Sequence, residues 1–265
     1  PTLHTPTPST TSLFQRWTKL HFRDLLSIPA SPHDGRIIRA LRFSNPTPTS
    51  SPNPTSPVNP TLFYTILATN IAIYRTPAYY AVPRRLDLEN TRDLGDDEEP
   101  VRCEEGSMVG DVCHARFGIY YELPTVIEGA RGYQTFAGSM RGKKWIIGIG
   151  LDDSVYEGDV KDVQRELVDM VKRRVHGGGV ELYSGLYKYA GDDAQPDGHP
   201  RIEESGIGGG EWVMLVIVVD GHDGGKGDLG MGELERMVGQ WAGDIEMTGG
   251  KGLKVGVWEG EVDLS

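Results

Sequence analysis

The chain of 265 residues holds only two cysteines, Cys103 and Cys113, ten positions apart in a polar segment. Two thiols make no disulfide framework, and no Cys/His spacing resembles a metal site. No run of roughly 18 apolar residues occurs, which excludes a transmembrane helix. The strongest apolar run, residues 212–219, has strand length. Basic residues are scarce: 27 Lys and Arg stand against 38 Asp and Glu, a formal charge of −11. That balance lacks the basic footprint of a nucleic-acid partner, and no Lys/Arg cluster offers a patch to an anionic membrane. The amino-terminal residues are rich in Pro, Thr and Ser and lack the charged-then-apolar layout of a signal peptide. A start at Pro1 is compatible with removal of an initiator Met or of a leader. The expected location is cytoplasmic, and no cofactor is expected.

Glycine and proline are plentiful, with 35 and 17 copies. They concentrate in polar stretches, 45–60, 87–110, 190–210 and 221–230, which read as surface insertions. Removing them exposes an internal repeat. The first half reads as a short arm over 1–7, a helix over 12–26, strands over 36–43 and 61–69, a short helix over 77–83 and a strand over 115–123. Pro77 suits a first helical turn. The second half repeats the order, with strands over 144–151, 180–189, 211–219 and 253–259 and helices over 159–175 and 229–241. The expected fold class is therefore α+β, two ferredoxin-like β-α-β-β-α-β repeats over 1–125 and 126–265. A sheet with helices on one face needs cover on the other. Two such sheets cover each other, so the expectation is an intramolecular α+β barrel of the dimeric type. With both copies on one chain, a monomer or weak homodimer is expected.

The helix over 12–26 carries the chemistry. Phe14, Trp17 and His21 share one helical face, widened by Leu13, Leu20 and Leu25, while most charged residues fall opposite. A histidine inside an aromatic stripe has its tautomer and pKa set by neighbours. The plain alternative is a packed boundary residue. Tyrosines stand in suitable places too: Tyr183, Tyr187 and Tyr189 share a strand face, and Tyr121 shares one with Phe117 and Ile119. Buried tyrosines are mostly structural, although several together suit a phenolic ligand.

The spacing Phe14-x-x-Trp17-x-x-x-His21 ahead of a strand resembles the first helix of EthD-like proteins, members of the dimeric α+β barrel superfamily. The stretch over 59–85 resembles their following strand and short helix, RFGIYYEL their closing strand, and KKWIIGIGLDDS the opening strand of a second copy. Tandem EthD-like proteins of this size occur in fungi. The second helix departs from the pattern, with Val163, Glu166 and Met170 at the matching positions, so the second repeat is expected to be degenerate. The resemblance implies an apolar pocket for a small hydrophobic, aromatic or polyketide-like molecule. It would be lined by Phe14, Trp17, Tyr121, Tyr183 and Tyr187, with His21 as acid–base in a cofactor-independent cyclase, dehydratase, decarboxylase (lyase) or oxygenase. The alternative is a non-catalytic binding or structural protein of the same fold.

Other patterns carry less. Cys113 and His114 point apart if their segment is a strand. His4 has a route to His21 only if the arm enters the sheet. His33, His176 and His199 flank turns and read as solvated. Residues 219–225 mimic a metal-dependent phosphatase signature whose other acidic motifs are missing. Gly148-x-Gly150 lacks the third glycine of a dinucleotide fingerprint and reads as strand glycines in a tight sheet. The triple glycines starting at 177 and 208 open no helix and read as loops.

Overall fold

The computed structural model describes residues 1–5, 7–45, 62–96, 98, 100, 107–136, 142–152, 155, 157–174, 180–199, 207, 209–220, 230–247 and 253–263. Cys103, His176, His222, Gly208 and the glycines at 177–179 lie outside them, as does nearly all of the 45–60 stretch. In chain order the first half contains β1 (Thr2–Leu3), α1 (Pro8–Leu26), β2 (Ile37–Ser44), β3 (Leu62–Ala68), α2 (Pro77–Ala81), α3 (Val109–Val112), β4 (Cys113–His114) and β5 (Tyr120–Leu123). The second contains β6 (Arg131–Gly132), β7 (Lys143–Leu151), α4 (Glu157–Arg174), β8 (Val180–Tyr189), β9 (Trp212–Asp220), α5 (Met231–Met247) and β10 (Lys254–Asp263).

Helix α1 begins before its apolar periodicity does, because a cap starts it. The Thr7 hydroxyl accepts from the Thr10 N–H at 3.1 Å, and the Thr10 hydroxyl accepts from the Thr7 N–H at 2.9 Å. Pro8 fills the first helical position, where its missing N–H costs nothing. Of the single strand expected over 115–123 only the end forms, as β5 (Tyr120–Leu123), while β4 (Cys113–His114) lies just ahead of that stretch, and the chain changes partner between them. β4 pairs with β1, whereas β5 pairs with β8. Helix α5 continues past 241 to Met247 despite Gly232, Gly239 and Gly243. All three glycines face open space, and Leu234, Met237 and Val238 keep the buried face.

One sheet runs through both halves in the order β3-β2-β10-β7-β9-β8-β5, with neighbours antiparallel and β6 added in parallel to β8. The sheet is strongly curled. Five spacings of roughly 4.8 Å would separate β3 from β8 by about 24 Å in a flat sheet. Yet Tyr133, which directly follows β6 at the β8 edge, hydrogen-bonds through its hydroxyl to Thr65 on β3 at 2.6 Å. The result is an α+β fold with an open antiparallel half-barrel. Among the described residues no helix is long and apolar enough to cross a membrane.

Side-chain alternation divides the core. On the convex face of the second half, α4 and α5 bury Val160, Leu167, Val171, Leu234 and Val238 against Trp145, Ile147, Met214 and Val216. The concave face collects Phe43, Tyr133, Phe136, Tyr183, Tyr187, Ile217 and Trp258. β9 is buried on both faces along its whole length, which accounts for its unbroken apolar sequence. In the first half α1 lies on the other side of β2 and β3. Arg42 reaches out of β2 to donate to the Gln15 carbonyl at 3.1 Å and the Thr18 hydroxyl at 2.9 Å, tying helix to sheet.

Gly148 and Gly256 face each other in the β7–β10 register. Together they leave a slot for the fully buried Trp258 indole, which stacks on Phe63 at 4.6 Å. A Cβ on Gly256 would run into that indole, whereas one on Gly148 would meet it at 3.2 Å. Gly256→Ala should therefore cost roughly 1–3 kcal/mol through overpacking, and Gly148→Ala distinctly less. Urea midpoints at unchanged slope measure both; equal effects would contradict the slot.

Candidate functional site

Helix α1 puts three rings in a row. Phe14 and Trp17 stack with centroids 6.0 Å apart, and Trp17 lies nearly parallel to His21 at 4.4 Å and 13°. Phe14 and Trp17 are buried, and His21 is half-buried. His21 Nδ1 lies 3.0 Å from the carbonyl oxygen of Pro83. A carbonyl only accepts, so the hydrogen sits on Nδ1, and Nε2 is left as an acceptor with no partner among the described residues. Burial above all, opposed by the bond to Pro83 and aided by Arg84 and His199, brings the His21 pKa down to about 4. The ring is neutral at pH 7.

A second group assembles beside it. The Thr76 hydroxyl caps α2 by accepting from the Tyr79 N–H at 3.2 Å, with Pro77 in the first turn as the sequence implies. This short helix buries Tyr79, whose hydroxyl lies 3.1 Å from His199 Nε2. His199 Nδ1 is 3.3 Å from the Asp197 carbonyl, so it carries the hydrogen and Nε2 accepts from Tyr79. Burial raises the Tyr79 phenol to about 12. It also lowers the His199 pKa, with Arg84 adding to that effect. Phe117 meets His199 edge-on at 4.9 Å. The loop at 191–199 is held to the first half by Tyr80, whose hydroxyl accepts from the Asp197 N–H at 2.9 Å, and by Arg75, which donates to the Asp193 carbonyl at 2.6 Å.

Arg84 follows Pro83 directly and is half-buried. It makes no side-chain hydrogen bond or ion pair among the described residues. Nearby arginines behave otherwise: Arg92 pairs with Asp24 at 3.2 Å and with Glu98 at 2.9 Å, and Arg23 pairs with Glu98. Arg84 acts electrostatically on His21, Tyr79 and His199.

The structure brings Phe14, Trp17 and His21 together as the sequence implies. Tyr183 and Tyr187 belong to a different group, on the concave face. Tyr183 packs against Phe136 at 5.2 Å, and Tyr187 against Tyr133 at 5.9 Å. The Tyr183 hydroxyl donates to Glu181 at 2.6 Å and accepts from Arg131 at 3.3 Å. Tyr121 is 51% exposed on β5. The sequence reading missed Tyr79, Arg84 and His199, and it took His199 for a solvated turn residue. The Pro77-Ala-Tyr-Tyr run and the Pro196-Asp-Gly-His order carried the signal, an aromatic pair on a capped turn and a histidine pinned after a proline.

The remaining candidates resolve simply. His4 goes to His114, edge-on at 4.1 Å, and its Nε2 bonds the Gly110 carbonyl at 3.1 Å. Cys113 is buried and His114 exposed, and burial raises the Cys113 thiol to about 11, far from a thiolate at neutral pH. Among the described residues no group of three or more His, Cys, Asp or Glu could hold a metal ion. A surface depression lined by Glu166, Asp169, Lys172 and Arg173 lies on the outer side of α4, away from all of these rings.

No protein-family model matches the chain, and neither a curated protein nor a solved structure matches it.

The depressed His21 pKa has a consequence for stability. The unfolded chain takes up this proton near the ordinary histidine pKa of 6.5, the folded chain only near 4. The contribution is intact above pH 6.5 and is lost as pH falls through the window from 6.5 to 4. Over that window the wild type should lose on the order of 3 kcal/mol more unfolding free energy than His21→Gln. Denaturant titrations at several pH values test it; parallel pH profiles would refute it.

Proposed function

We propose that this chain is a small-molecule-binding α+β barrel that receives an aromatic, hydroxyl-bearing ligand at the Trp17–His21–Tyr79 group. The observation that carries the reading is the His21 ring. Its Nδ1–H is fixed to the Pro83 carbonyl, its face is stacked on Trp17, and its Nε2 lone pair has no partner among the described residues. A fixed acceptor at the end of the stacked Phe14–Trp17–His21 row suits a phenolic hydroxyl. Tyr79 adds a second acceptor, because its own proton goes to His199.

The same ring argues for binding rather than acid–base turnover. A histidine with a pKa near 4 holds no proton to give at pH 7 and is a weak base. General acid–base catalysis works best with a pKa near the working pH. The concave face, where Tyr183 and Tyr187 stand, is filled by those two rings together with Tyr133 and Phe136. The ligand therefore belongs at the α1 side.

For the architecture we propose two ferredoxin-like units fused into one barrel. In the second half β10-β7-β9-β8 places the last strand beside the first and the first beside the third, the arrangement of a split β-α-β unit. In the first half β2 pairs with β3, β1 with β4, and the Leu62 N–H reaches the Pro1 carbonyl at 3.3 Å. The β2–β10 and β5–β8 pairings then act as the two seams. Such a chain completes its barrel without a second copy and is expected to be a monomer, or a weak dimer through its edges.

Titration with simple phenols, followed by calorimetry and by the ¹⁵N resonances of histidine, tests the binding reading. Phenol or a dihydroxybenzene should bind, raise the melting temperature and move the His21 Nε2 signal. No binding, or binding that leaves the His21 Nε2 signal where it was, would overturn it.

A further inference from the structure

We infer that the segment from Asp87 to Glu98 is a strap closed over the aromatic row of α1, and that one charge cluster, Arg23, Asp24, Arg92 and Glu98, latches it. Release of the latch opens the Phe14–Trp17 end of the row to solvent. The inference goes beyond the binding reading and rests on it only for what such an opening admits.

The strap has few attachments. Just ahead of it the chain is fixed, because the Leu86 N–H donates to the Ser107 carbonyl at 2.9 Å. From Asp87 to Glu98, every backbone–backbone hydrogen bond among the described residues stays inside the segment. The Asn90 N–H donates to Asp87 at 3.1 Å, those of Thr91 and Arg92 to Leu88 at 3.0 Å, and that of Glu98 to Gly95 at 3.0 Å. Neither sheet takes this segment in as a strand. Its hold on α1 therefore falls to side chains. Leu88 is fully buried in one apolar cluster with Phe14, Trp17 and Leu20. The rest is charge.

Helix spacing puts that charge where the rings are. Asp24 follows Trp17 by seven residues and His21 by three, on the same face of α1. Helix and strap each contribute one cation and one anion. Arg23 pairs with Glu98, and Asp24 with Arg92 at 3.2 Å. Within the strap Arg92 donates twice to Glu98, at 3.0 and 2.9 Å, and the Gly95 N–H donates to it at 2.9 Å. The Glu98 side chain is only 3% exposed, so a nearly dry carboxylate sits between two guanidinium groups. Removing one member of such a cluster leaves a buried charge uncompensated, which costs far more than the loss of an exposed pair. A segment held by one apolar side chain and one ionic cluster lets go as a unit, by local opening rather than by unfolding of the sheet.

Hydrogen exchange at the Trp17 indole Nε1–H, followed by ¹⁵N NMR on the full chain without ligand, tests the latch. That nitrogen is buried and has no acceptor among the described residues, so its exchange reports loss of cover. Trp17→Phe assigns the signal, and the fully buried Trp258 is the reference for global unfolding. In the wild type, Trp17 should exchange faster than Trp258 and with a much shallower urea dependence, since strap release exposes little surface. Glu98→Gln should speed Trp17 exchange roughly 10-fold or more, the usual worth of a charge-assisted hydrogen bond, and keep the shallow slope. Asp24→Asn should act in the same direction. Equal urea slopes for the two indoles in the wild type would overturn the inference, and that comparison needs no variant to fold. So would unchanged Trp17 exchange in a folded Glu98→Gln, or a faster exchange that takes on the steep slope. No ligand enters the measurement, so a failed latch leaves the binding reading standing, and a failure of phenol to bind leaves the latch standing.

Discussion

Tyr133 joins the two ends of the sheet, and most of the molecule is arranged around that contact. Its ring is fully buried on the concave face, and its hydroxyl meets Thr65 on the far strand. A hydroxyl pair inside an apolar space is worth most when both partners are satisfied. This one holds only if the sheet curls enough to bring β3 over the β8 edge. The curl follows from the natural twist of strands, and the contents of the hollow fix its extent. Phe136, Tyr183, Tyr187 and Trp258 fill that hollow beside Tyr133. Trp258 sits so deep only because Gly148 and Gly256 withdraw their side chains from under it. The interior is thus a packed core.

A packed interior moves the chemistry outward. The rings of α1 lie on the opposite side of β2 and β3, where the covering layer is thin: one helix, the short α2 and the connection through Pro83. The loop at 191–199 comes from the second half and docks there through Tyr79, Tyr80 and Arg75. The histidine pair therefore draws one member from each half. The missing Trp and His on α4 cause no loss here, because α4 has a different task. Val160, Leu167 and Val171 point into the convex core, and the helix seals the central strands.

Element order was legible in the sequence wherever a side-chain period was strong. The run at 180–189 is a strand with those bounds, and α4 keeps Val160, Leu167, Met170 and Val171 on its buried face. The Phe14–Trp17–His21 stripe was legible for the same reason, since helix spacing alone brings its members together. Contacts between elements distant in the chain were not. Nothing local tells Tyr183 and Tyr187 that Tyr133 will lie against them, and nothing tells His199 that Tyr79 will reach it across 120 residues. The start of α1 escaped because a threonine cap and a proline set it, ahead of any apolar residue. The late start of β5 within 115–123 escaped because the residues just ahead, Cys113 and His114, pair with β1 and the chain must then cross to β8.

Arg84 is half-buried, but its nitrogens still reach solvent, so water rather than a carboxylate meets its charge. The protein satisfies its other cations in this region with Asp24 and Glu98 and leaves this one alone. Placing Arg84 beside two histidines also makes protonating either of them harder, so the cation stays single across the neutral range.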